Sequence, residues 1–120
     1  MRTTKCLLVL LVLISSCAKD KTLKAIPIDC SGINAEYQLD VVPIIQASCA
    51  TGTGPGTGCH DAWILSYAGL RARVLNGDIQ RVIYELKSMP PSPNFLGTPA
   101  LTDDEVDKIM CWIQQGALDN

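Results

Sequence analysis

Apolar residues recur at helical spacing in three stretches of this chain, and no stretch alternates convincingly enough to predict a strand. In the first, Leu39, Val42, Ile45 and Cys49 fall on one helical face. Pro43 is tolerated only in a first turn, so this helix is expected to begin near Asp40 or Val41. The second stretch, Tyr67 to Lys87, opens with a short expected helix, Tyr67 to Leu75, closed by Asn76-Gly77. Asp78 then serves as the expected cap for a further helix, Ile79 to Lys87, with Ile79, Val82, Ile83 and Leu86 on one face. That helix must stop before Met89-Pro90-Pro91, because proline disfavours helix at the residue before it. The third stretch has the clearest signals. Thr102-Asp103-Asp104-Glu105 forms a capping box with acidic residues in the first turn, and Val106, Ile109, Met110 and Ile113 follow at i, i+3, i+4 and i+7. Gly116 is placed to end the helix. The expected fold class is all-α, with loops at the glycine-rich Thr51–Gly58 and at Ser92–Ala100.

The first residues follow a different pattern. A basic start (Arg2, Lys5), an apolar run from Cys6 to Ile14 and the small residues Ser15-Ser16 describe an export signal too short to span a bilayer. Leu13-Ile14-Ser15-Ser16-Cys17 resembles the bacterial lipobox, in which the cysteine is lipidated and becomes the new N-terminus. The plainer alternative is an ordinary secretory signal cut near Ala18. The expected organisation is a signal peptide at 1–16, a lipidated N-terminus and tether at 17–29, and one domain at 30–120. Export places that domain in an oxidising compartment, in the cell envelope and facing the periplasm or cell surface. Losing Arg2 and Lys5 takes the formal charge from −2 to −4, and the remaining basic residues are scattered apart from Lys19, Lys21 and Lys24. Neither fact suggests a nucleic-acid partner.

The chemistry concentrates around the one histidine. Cys59-His60 follows Cys49, and a cysteine pair ending in Cys-His is the attachment signature of c-type haem. Both cysteines would form thioethers to the porphyrin, and His60 would be the proximal ligand. Met89, 29 residues after His60 in a Pro-stiffened turn, is the candidate distal ligand. Met110 is a rival thioether, but its place on the apolar face of the last helix is explained by core packing. Trp112 reads as a packing residue and Trp63 as one near enough to line a haem pocket. The usual motif has two residues between its cysteines; here Ala50 to Gly58, nine residues, intervene. The longer loop adds only about 1 kcal/mol of closure entropy, although ligation machinery reads the motif locally, and attachment through Cys59 alone is a variant. With Cys6 in the signal and Cys17 lipidated, Cys30 and Cys111 remain as a disulfide pair. The alternative is a haem-free, disulfide-stapled lipoprotein with a structural or binding role, in which Cys49 and Cys59 form a second bridge. Copper and zinc sites are poorer readings, since a second histidine is missing and an exported thiol pair oxidises.

Together these residues resemble the cytochrome-c-like haem domains of secreted bacterial lipoproteins. The resemblance runs from about Cys30 to Asn120. It is carried by Val42-Pro43-Ile44-Ile45 before Ser48-Cys49, by Gly58-Cys59-His60-Asp61, by Leu65-Ser66-Tyr67 and by Met89-Pro90-Pro91. Its last part is Leu101-Thr102-Asp103-Asp104-Glu105 leading to Trp112-Ile113-Gln114-Gln115-Gly116-Ala117. It implies three to five short helices wrapped around one covalent haem c. Cys49 and Cys59 are then the thioethers, His60 and Met89 the iron ligands, and Cys30–Cys111 a disulfide. The implied function is membrane-anchored one-electron transfer between redox partner proteins. It is not catalysis, and the chain is expected to act as a monomer.

Overall fold

The computed structural model describes residues 25–50, 60, 62–91 and 99–120. The expected signal, Cys17, most of the tether, the glycine-rich loop with Cys59, and most of the Ser92–Ala100 loop lie outside the described residues. The fold is all-α, with no strand among the described residues. Its elements are α1 (Val42–Ser48), a 3₁₀ turn (Ala62–Leu65), α2 (Tyr67–Leu75), α3 (Asp78–Gln80) and α4 (Asp103–Gln114). Two wide π-helical turns extend these: Tyr37–Val41 leads into α1, and Arg81–Glu85 continues α3. No helix among the described residues is long and apolar enough to cross a membrane.

The core centres on α4. Its start follows the capping box: the Thr102 hydroxyl accepts from the Glu105 amide, and the Thr102 amide donates to Glu105 Oε2 at 2.8 Å. Its end is marked by Gly116 at φ +104°, in the left-handed region that glycine adopts without strain. Between them Ile109, Met110, Cys111, Trp112 and Ile113 are all buried. Five consecutive buried positions exceed the one-sided stripe expected from the spacing. A helical turn buried on every side must be covered on every side, and the flanking chain supplies the cover. Cys30 is joined to Cys111 as a disulfide, matching the pairing expected from the sequence. The Gln114 side-chain amide donates to the Ile26 carbonyl (2.7 Å), and Gln115 bonds both Ile33 and Ala35. Ile26 is itself buried, so the packed part of the chain takes in residues beyond the boundary expected at Cys30. On the other side, Trp112 Nε1 donates to the Leu118 carbonyl and the Tyr67 hydroxyl to that of Ala117, both at 2.8 Å. Asn120 accepts from the amides of Tyr37 and Gln38.

The helix before Cys49 differs from expectation in its face. Tyr37 lies between Tyr67 and Trp112, at 5.2 and 5.5 Å between ring centroids. That ring sets the rotation of the segment, so Tyr37, Val41, Ile44, Ile45 and Ser48 turn inward. Leu39, expected on the buried face, is 73% exposed. Helical winding also begins earlier than expected, at Tyr37, while Pro43 does occupy a first-turn position of α1.

α2 spans the residues expected. α3 does not: Gly77, at φ +80°, occupies the cap position, and Asp78 lies inside the first turn, where its carboxylate faces Arg73. The wide turn carries the Arg81 carbonyl to the Leu86 amide (2.8 Å) and rotates Leu86 off the apolar face, leaving it 57% exposed. Ile79 and Ile83 stay buried. Helical winding ends at Glu85, before the expected Lys87, which sits at φ +48°.

Two outcomes are expected. The Cys30–Cys111 bridge spans 81 residues, so replacing both cysteines by alanine should cost about 4 kcal/mol of unfolding free energy in the chain-entropy account, read by urea denaturation. Asp40 accepts from the Glu36 amide (3.0 Å) and pairs with Lys108 of α4 (3.1 Å). The Glu36 amide does most to hold the Asp40 carboxyl below the ordinary 3.8; burial opposes it, and the hydrogen bond and charge of Lys108 add to the lowering. A lowered folded-state pKa gives stability that is full above the ordinary carboxylate value and lost as pH falls through the lowered one. Asp40→Asn should therefore be less stable than wild type at neutral pH, with the gap closing at strongly acid pH.

Candidate functional site

One cavity of about 410 Å³ gathers residues that lie far apart in the chain. α1 ends at Cys49, whose amide donates to the Ile45 carbonyl (2.9 Å), and this end delivers Cys49 to the cavity wall. His60 and Trp63 enter from the segment before α2, and Arg73 from α2 itself. α3 and its wide turn add Ile79, Val82, Asp78 and Arg81. Met89 reaches the same cavity from the turn that follows, where the amides of Ser88 (2.9 Å) and Met89 (3.2 Å) both donate to the Val82 carbonyl. Met89 is partly exposed at 37%. Three of the four residues expected to hold haem, Cys49, His60 and Met89, therefore line one space. The fourth, Cys59, lies outside the described residues. Met110, the rival thioether, is fully buried in α4.

The cavity wall mixes the apolar Trp63, Ile64, Ile79 and Val82 with polar and charged side chains. Several of these residues form a contact chain. The His60 ring meets Trp63 edge-on, with 5.3 Å between centroids. The Arg73 guanidinium lies 5.0 Å from the centre of the Trp63 ring, and Arg73 Nη1 is 3.4 Å from Asp78 Oδ2. Trp63 was expected to line the pocket; Arg73 and Arg81 were not singled out, and Asp78 was expected only as a helix cap. A usable signal was Arg73 and Asp78 flanking the Asn76-Gly77 turn, close enough to pair once that turn folds the chain back.

Local packing explains why Trp63 stays in place. The Ser66 hydroxyl caps α2 by accepting from the Gly69 amide (3.1 Å) and itself donates to the Trp63 carbonyl (3.0 Å). Gly69 faces that carbonyl so closely that a Cβ there would collide with it and with Ser66 Oγ. Glycine is required here by approach, since its φ is ordinary.

Among the described residues, no group of three or more His, Cys, Asp or Glu side chains converges to hold a metal ion. Comparison with protein-family models, with curated proteins and with solved structures gave no match.

Gly69→Ala gives a test of this packing in which the sign matters. Helix propensity alone would stabilise by up to about 1 kcal/mol. The collision with the Trp63 carbonyl should instead destabilise by about 1–3 kcal/mol and shift the near-UV circular dichroism of Trp63.

Proposed function

We propose that this chain is a membrane-anchored monohaem c-type cytochrome that carries single electrons between redox partner proteins. The observation that supports it is the convergence of Cys49, His60 and Met89 on one partly apolar cavity. Imidazole and thioether are a donor pair suited to haem iron, and the Trp63 ring with the aliphatic Ile64, Ile79 and Val82 suits a porphyrin face. The residues therefore fit the group.

In this reading Cys49 and Cys59 would attach the haem through thioethers, and His60 and Met89 would be the protein ligands to its iron. When bound, haem supplies a one-electron couple whose potential is raised by methionine ligation. Two protein ligands leave no position for oxygen or peroxide, so the residues hold the site for transfer rather than for catalysis. Val82 anchors the Met89 amide and so fixes where the thioether enters. Cys17 would carry the lipid that holds the domain at the membrane surface, on the outer side of an exporting membrane, and one chain would suffice for function.

The haem-free reading has one observation in its favour. The α4 core and its disulfide form a packed unit to which His60, Arg73, Arg81 and Met89 do not belong.

Variants expressed in a host with c-type haem ligation machinery separate the two. Met89→Ala should keep covalent haem but open the sixth position, read as carbon monoxide binding by the reduced protein, while Met110→Leu leaves the spectrum unchanged. His60→Ala should abolish the low-spin spectrum. A Met89→Ala protein with an unaltered low-spin spectrum would remove methionine 89 from the site.

A further inference from the structure

The cavity's charge is opposite to that of the protein. The chain carries 12 acidic against 10 basic residues and only four arginines, yet two of the four, Arg73 and Arg81, line this one space. The carboxylate there among the described residues is Asp78, and it faces Arg73 through one guanidinium nitrogen at 3.4 Å. A guanidinium has five N–H donors in a rigid fork, so a single such contact leaves most of Arg73's donors available. Trp63 and Asp78 hold that fork from two directions, which reduces the freedom it must lose on binding. Arg81 makes no ion pair among the described residues. The cavity wall thus combines an excess positive charge with apolar side chains.

From this we infer that the cavity selects a flat apolar ligand bearing carboxylates, and that Arg73 and Arg81 hold its acidic edge. The inference rests on the haem reading and deepens it. It assigns the orientation of the ligand, with the carboxylates toward Arg73 and Arg81 and the vinyl-bearing edge toward Cys49. Planar bidentate pairing of guanidinium with carboxylate makes this recognition geometric as well as electrostatic. A neutral ligand of the same shape would leave the two arginines facing apolar atoms and should bind more weakly.

Iron-free deuteroporphyrin IX and its dimethyl ester provide the two probes, titrated by tryptophan fluorescence quenching against apoprotein made without haem ligation machinery. Wild type should bind the free acid at least tenfold tighter than the ester. Arg73→Gln/Arg81→Gln should lose that preference, and Arg73→Lys/Arg81→Lys should keep a part of it, with circular dichroism confirming that both remain folded. Excess sulfate should weaken free-acid binding only modestly, since a small anion lacks the apolar face; full displacement by sulfate would reveal a general anion site and overturn the inference. Equal affinity for acid and ester in wild type, no binding of either, or a preference unchanged in the glutamine variant would each overturn it as well. Failure of the haem reading looks different: acid-selective, arginine-dependent binding in a protein that never acquires covalent haem.

Discussion

The stack of Tyr37 on Trp112, closed by the edge of Tyr67, joins three parts of the chain that share no sequence proximity. Trp112 belongs to α4, Tyr37 starts the winding that becomes α1, and Tyr67 begins α2. Rotation of α1 follows from it, and with that rotation the direction in which Cys49 leaves the helix. The hydrogen bonds of Tyr67 to Ala117 and Trp112 to Leu118 fasten the chain's end over the same rings. The disulfide leaves α4 one residue before Trp112, at Cys111, so the helix is held both by aromatic packing and by a covalent bridge.

The site is built on the edge of this core rather than inside it. Ile64 and Ile79 belong both to the core and to the cavity wall, and they connect the two. Beyond them the side chains become chemical rather than structural: an imidazole, a cysteine sulfur, a thioether and two guanidiniums. The close approach of Gly69 to the Trp63 carbonyl makes the rigid floor of α2 part of the same arrangement, because Trp63 touches both His60 and Arg73.

What could be read in the sequence was whatever depends on local rules. The capping box at Thr102, the glycine stop at Gly116, the bounds of α2 and the burial of Ile109, Met110 and Ile113 all follow from residues a turn apart. The Cys30–Cys111 pairing followed from cysteine arithmetic. What could not be read depends on distant partners. Leu39 looked buried because nothing local reveals that Tyr37 will be claimed by Trp112. Leu86 looked buried because the widening of the helix after Gln80 is not written in its spacing. Asp78 looked like a cap because serine-like capping competes with an ion pair to Arg73 that exists only once the Asn76-Gly77 turn is made. The candidate ligands were legible by type and were expected to meet at one haem; the arginines beside them went unnoticed because a helix-borne arginine ordinarily faces solvent.

The most direct measurement is a reduced pyridine haemochrome spectrum of the wild-type protein matured with c-type ligation machinery, taken together with its intact mass. The account predicts an α band in the c-type range and one haem mass added to a lipidated chain, with the band position distinguishing two thioethers from one. A chain with no α band, lighter by four protons for two disulfides, would contradict it and leave a stapled lipoprotein without haem.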